Sequence, residues 1–155
     1  MPGGTEAALL PEGVQRVLER HAPPLIMSGA VELGDGDAAE MLALAQITKP
    51  GPFLPRTHVL GTFYGVREQG RLVAMAGERI RLDGYSEVSG VCTHPDHRGK
   101  GYARLLSQLV AGQILARGEV PFLHAFANNK TAITLYESLG FRVRRNVSVT
   151  ILRKR

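Results

Sequence analysis

The stretch His94-Pro95-Asp96-His97-Arg98-Gly99-Lys100-Gly101-Tyr102-Ala103-Arg104-Leu105-Leu106 joins an apolar, partly β-branched run (residues 88–93) to an apolar helical pattern through two glycines that flank a lysine. A helix N-terminus leaves about four backbone N–H groups without intrahelical acceptors and carries partial positive charge, so an anion placed there gains hydrogen bonds and dipole energy together. Arg98 and Lys100 add side-chain charge, while Gly99 and Gly101 let the backbone approach a ligand closely and adopt positive φ. The chemistry that fits is the binding of a pyrophosphate. Two familiar phosphate motifs are excluded by the letters: G-x-x-x-x-G-K-[ST] is absent, and the dinucleotide fingerprint needs a third glycine where Arg104 stands. ATP and NAD fall in rank accordingly. Taken alone, the same glycines also fit a simple turn.

Other chemistry-bearing residues surround this stretch. Asn129, Ala132 and Tyr136 fall at i, i+3 and i+7 on one helical face, which at ~1.5 Å rise per residue sets the two polar groups roughly 10 Å apart along it. That face is also the apolar stripe of its helix, so by spacing alone Tyr136 reads as a core tyrosine. Cys92, His94 and His97 form a C-x-H-x-x-H cluster of zinc-ligand types, but its fourth ligand would have to come from as far as His124, and no metal is expected. Cys92 as an acyl-accepting nucleophile lacks a recognisable His and Asp arrangement. Arg142, Arg144 and Arg145, with the tail Arg153-Lys154-Arg155, read as a solvated basic face; without tryptophan or aromatic interleaving, nucleic acid is not expected as a partner.

The elements that must position these groups follow from periodicity and turn chemistry. Val14, Val17 and Leu18 form a short helix-like pattern that the prolines of His21-Ala22-Pro23-Pro24 end, so residues 1–29 read as an N-terminal arm or lead-in helix and 30–155 as one domain. A strand is expected over residues 25–33. A helix then follows, capped by Asp37 with Glu40 three residues on and stopped by Pro50-Gly51-Pro52. Residues 61–82 read as a hairpin turning at Glu68-Gln69-Gly70; Asp83-Gly84 is a second turn, leading into a strand over residues 85–93. Tyr102, Leu105, Leu106, Leu109 and Val110 have helical spacing up to Arg117-Gly118, a short apolar strand starts at Val120, and a second helix carries Ala132, Leu135, Tyr136 and Leu139 to Gly140. One final strand is expected over residues 141–152.

With these neighbours the glycine stretch resembles a known family. Arg98-Gly99-Lys100-Gly101-Tyr102-Ala103 matches the [QR]-x-x-G-x-[GA] motif of the GNAT-type N-acetyltransferases, and the preceding Glu87–His97 segment looks like the strand and turn that lead into it. Asn129 to Phe141 resembles the family's closing signature, N-x-x-A-x-x-L-Y-E-x-L-G-F. The two blocks span Glu87 to Phe141, about a third of the chain. The resemblance implies an α/β fold with a mixed, mostly antiparallel sheet whose central strands splay, flanked by helices, and acetyl-CoA as cosubstrate. It further implies that the backbone of Val91, Cys92 and Thr93 pairs with pantetheine, that Arg98, Gly99, Lys100, Gly101, Tyr102 and Ala103 hold the pyrophosphate, and that Asn129 reaches the pantetheine arm. Tyr136 would protonate the leaving thiolate. Acetylation of an amine also needs a base; Glu87, early on the strand that flanks the acyl group, is the choice, with Tyr85 and His124 in reserve.

Bulk properties are consistent with this reading. The 155 residues, 44% of them hydrophobic, suffice for one core, and the net charge of +5 favours an anionic partner. A lone cysteine suits a reducing compartment, no secretory signal or membrane span is legible, and the expected location is cytoplasmic. The expectation is an acetyltransferase acting on a small-molecule or peptide amine. A non-catalytic acyl-CoA-binding sensor of the same fold and a bare anion-binding module are the alternatives, and a homodimer through the last strands is left open.

Overall fold

A strand buried on both faces reads as an unbroken apolar run, and Leu72-Val73-Ala74-Met75-Ala76-Gly77 is such a run, buried throughout in the computed structural model. The structure describes residues 5–9, 13–18, 29–50, 57–126, 128–147 and 150–154. In chain order the elements are β1 (Thr5–Leu9), β2 (Gly13–Leu18), β3 (Ala30–Leu33), α1 (Ala38–Thr48), β4 (Phe63–Glu68), β5 (Arg71–Leu82), β6 (Tyr85–Thr93), α2 (Tyr102–Ala116), β7 (Val120–Phe126), α3 (Lys130–Ser138), β8 (Phe141–Val147) and β9 (Thr150–Lys154). Seven strands form one sheet in the order β3-β4-β5-β6-β7-β2-β8, and β1 pairs with β9 in a separate ribbon. Every pairing is antiparallel except β6 with β7. The expected α/β fold, a mixed and mostly antiparallel sheet flanked by helices, is the one observed.

The sheet divides two apolar layers. On one face Ala74, Ala76, Val88 and Leu123 pack with Leu106, Val110 and Ile114 of α2, with Tyr136 of α3 and with Leu139 at its C-cap. On the other, Phe63, Met75 and Cys92 meet Met41, Leu44 and Ala45 of α1. Fully buried leucines and isoleucines of this kind contribute roughly 1.5–3 kcal/mol each. Phe63 sits cross-strand from Gly77, and a Cβ built there would lie 2.3 Å from the phenyl ring, so only glycine fits beneath it. Gln69 and Gly70 both have positive φ, as a two-residue hairpin loop requires.

Four expectations need correction. The Val14, Val17 and Leu18 pattern is strand β2, not a lead-in helix, and it lies between β7 and β8 inside the sheet. Over six residues, apolar spacing does not separate helix from strand, and the hydrogen-bonding slot between β7 and β8 decides. Asp37 does not cap α1 through its side chain. Its carboxylate accepts from Gly34 N–H and pairs with Arg67, which Glu40 also binds. The strand expected over residues 25–33 is described only as Ala30–Leu33, with 25–28 outside the described residues. The single final strand is two, β8 and β9, paired with different partners, β2 and β1. Helix α1 ends at Thr48, with Lys49 left-handed; Gly51 and Pro52 lie outside the described residues, as do most of the N-terminal arm and Arg155. Among the described residues no helix is long and apolar enough to cross a membrane.

Candidate active site

The site begins where two parallel strands part. Strands β6 and β7 pair only at Tyr85–Val120, Ser86–Pro121 and Glu87–Phe122, yet β6 runs on to Thr93 and β7 to Phe126. Beyond Glu87, among the described residues, the edges facing each other have no strand partner, and backbone groups in such a gap must find another acceptor or donor. A bulge accompanies the divergence. Gly90 has φ +65°, and the register with β5 shifts between Ser89, opposite Gly77, and Cys92, opposite Met75. The fork opens onto Val91, Cys92 and Thr93, the segment that the family resemblance assigns to pantetheine.

From the end of β6 the chain turns through His94-Pro95-Asp96-His97, where His94 Nδ1 accepts from Asp96 N–H at 3.1 Å. It then enters α2 through Gly99 (φ +81°) and Gly101 (φ +80°), the latter as a left-handed N-cap with no side-chain cap bond. A Cβ at either glycine would meet nothing within 4 Å. The space above the loop is open, and the first-turn N–H groups of a 15-residue helix face it without a side chain of the cap to satisfy them. These residues fit a pyrophosphate. Lys100 contributes less than its charge suggests, because its Nζ lies 2.8 Å and 3.0 Å from the two carboxylate oxygens of Glu68 at the end of β4. His97 also bonds that carboxylate. The Lys100 ammonium, then the His97 contact, holds the Glu68 carboxyl below its ordinary value.

Tyr136 and Cys92 belong to opposite layers of the sheet. The Tyr136 ring is 8% exposed and meets Phe141 edge-on at 6.1 Å. Burial, and then the neighbouring Cys92, raise its hydroxyl to about 12, so the phenol keeps its proton at neutral pH and can act as an acid. Both readings of Tyr136, core member and proton donor, are compatible with this placement. Burial raises the Cys92 thiol to about 11 against hydrogen bonds with Thr48 and the Met75 backbone, which leaves it a poor nucleophile. Cys92, His94 and His97 are each drawn to different partners, and among the described residues no group of three or more metal-ligating side chains forms.

Asn129 caps α3, its Oδ1 accepting from Ala132 N–H at 3.2 Å, so the amide nitrogen is the end available to a ligand. Glu87 closes the paired segment at 1% exposure, bonded to Arg79 and to His124. Tyr85 stands two residues farther back, at the closed end of the pairing. The structure brings Glu87 and His124 into contact where the strands part and sets Val91 to Thr93 beyond that point, with the glycine loop at the end of the strand, while Tyr136 packs in the other layer with Val88, Leu123 and Phe141. Sequence reasoning missed Arg79, Glu68 and Arg16. The last sits on β2, is buried, and reaches Glu137 beside Tyr136 at 3.2 Å. Only knowledge of strand order could have paired them.

A match to the FR47-like protein family spans residues 63–149, more than half of the chain. A solved structure assigned to the GNAT acetyltransferase family from Novosphingobium aromaticivorans is 48% identical, superposes with a TM-score of 0.94, and is matched over 98% of this chain and 68% of its own. The chain is a GNAT-family protein. This GNAT chain is also similar to the ribosomal protein bS18-alanine N-acetyltransferase of Escherichia coli, 31% identical over 87 residues that take in 54% of this chain and 58% of that protein. It therefore spans little more than half the length of the curated relatives it matches. The solved structure of the ribosomal-protein alanine acetyltransferase from Escherichia coli shares the GNAT fold at a TM-score of 0.64 and 21% identity, over 81% of this chain and 92% of that one.

Proposed function

We propose that this GNAT chain transfers the acetyl group of acetyl-CoA to a primary amine by direct attack in a ternary complex. The observation that carries the reading is the fork itself: β6 leaves β7 after Glu87, bulges at Gly90, and ends in a loop whose two left-handed glycines open onto the N-terminus of α2. A thioester donor with a long amide-bearing arm and a pyrophosphate matches that sequence of features. Backbone groups of residues 91–93 serve the arm, the amides of residues 99–103 serve the pyrophosphate, and Asn129 serves the arm from α3. Tyr136, held neutral by burial, gives its proton to the departing sulfur. The Glu87 centre accounts for the proton that the amine must lose.

The acceptor class is a primary amine, and the resemblance to an enzyme acting on a protein's N-terminal alanine makes a peptide with a free N-terminal alanine the first acceptor to try. Release of CoA thiol from acetyl-CoA, followed with that peptide beside lysine-terminated and small-molecule amines, tests the function. Saturable, amine-dependent release supports it. Acetyl-CoA binding without release across the whole set would overturn catalysis in favour of a sensor of the same fold.

A further inference from the structure

Glu87 is the last paired residue of β6, and the way its carboxylate is packed divides the work of the base between two side chains. It is only 1% exposed. Its Oε1 accepts from Arg79 Nε at 2.9 Å, and its Oε2 lies 2.6 Å from His124 Nδ1 and 3.4 Å from Arg79 Nη2. Both oxygens are therefore engaged, one side of the group is closed by a guanidinium, and an amine has no approach to it. The His124 side chain is 35% exposed. Parallel register explains the meeting: Glu87 stands opposite Phe122, so His124, two residues on, projects from the same face of β7 just past the point where the strands part. The Phe122 ring, buried at 3% exposure, lies edge-on to the imidazole at 5.7 Å and fixes its second plane. On this face Arg79 pairs with Glu87, and positions Arg142 and Arg145 of β8 share it two strands away, because Val17 and Gln15 stand across from them and from Phe122 and His124; the Glu78–Arg117 pair belongs to the opposite face, because Glu78 stands across from Val88.

We propose that His124 is the general base of the acetyl transfer and that Glu87 is a positioning residue acting through it, an inference that rests on the acetyltransferase reading above. With the carboxylate accepting, the ring proton sits on Nδ1 and the basic lone pair is on Nε2. In the step itself the amine nitrogen forms a bond to the thioester carbonyl carbon and the carbon–sulfur bond breaks. The proton lost by nitrogen passes to His124 Nε2, and Tyr136 supplies one to sulfur. Amine and thioester become amide and thiol. Both side chains recover their protonation states by exchange with solvent.

Three measurements test this on the full chain. Nitrogen-15 NMR of the histidine ring reads the tautomer without any acceptor: an Nδ1–H ring at His124 that changes in Glu87→Gln is expected, and an Nε2–H ring indifferent to Glu87→Gln would overturn the proposal. In thiol-release assays with the alanine peptide, His124→Gln should lose on the order of 10²-fold in kcat with KM for acetyl-CoA within about threefold, and should flatten the acidic limb of the pH profile. Glu87→Gln should lose less, about tenfold, and displace that limb without removing it. Retention of the limb in His124→Gln, or a larger loss in Glu87→Gln, would make the carboxylate the direct base and overturn the inference alone. Wild-type protein inert toward every amine would overturn the acetyltransferase reading and this inference with it.

Discussion

The glycine loop and the strand fork are built in opposite ways. The loop is local: six consecutive residues, two of them glycines at φ near +80°, carry most of what an anion needs, and the lysine between them is diverted to Glu68. The fork and the layers around it are assembled from afar. Arg79, Glu87, His124 and Tyr136 come from three strands and a helix, and each is placed by pairing or packing with residues distant in sequence. On the proposed function, affinity is written into the backbone of one turn, and chemistry into the register of the sheet.

Substitutions at the two regions should separate binding from turnover. The largest effect is expected for Tyr136→Phe, which keeps the ring packed on Phe141 but removes the acid: kcat should fall roughly 10²–10³-fold while the affinity for acetyl-CoA, measured by calorimetry, stays within about threefold. A comparable loss in affinity would place the phenol in binding rather than proton transfer. Gly101→Ala should do the reverse. A left-handed alanine costs about 1–2 kcal/mol, and a methyl group pointed into the open space above the loop should weaken acetyl-CoA binding tenfold or more with little effect on kcat at saturation. Gly77→Ala calibrates both, since its Cβ would strike the Phe63 ring: stability should drop by about 2–3 kcal/mol in urea, with binding per folded molecule unchanged.

Smaller effects sharpen the contrast. Lys100→Ala should change acetyl-CoA affinity less than Gly101→Ala, within about threefold, because the lysine is committed to a solvent-screened ion pair with Glu68. An effect larger than that of Gly101→Ala would mean that the side chain, not the backbone, holds the anion. Alkaline pH should weaken the packed layers before the loop. Cys92 and Tyr136 are raised to about 11 and 12 from 9.0 and 10.0, so their folded state favours the neutral forms. That stability is intact below pH 9 and is lost as pH rises through 9 to 12, and Tyr136→Phe should shrink the slope of stability against pH in that window.

The same contrast explains what the sequence revealed. The loop, α2, the β4–β5 hairpin and α3 with its Asn129 cap are set by short-range signals, and they lie where the spacing of Gly99, Gly101, Leu106, Gly70 and Asn129 indicates. Strand β2 was invisible because six residues with apolar positions 14, 17 and 18 fit either period, and the slot between β7 and β8 exists only once the sheet does. Glu87 was legible as a carboxylate early on β6, but its burial and its bond to His124 depend on the parallel register with β7. Arg79 as the partner that seals it was illegible for the same reason.

A calorimetric titration of the protein with acetyl-CoA, run beside ATP and NAD at one salt concentration, tests the central claim most directly. Saturable binding of acetyl-CoA at one site, weakened by Gly101→Ala and not by Tyr136→Phe, is the predicted result. Equal binding of all three ligands, or none of acetyl-CoA, would reduce the loop to a turn or a general anion site and contradict the account.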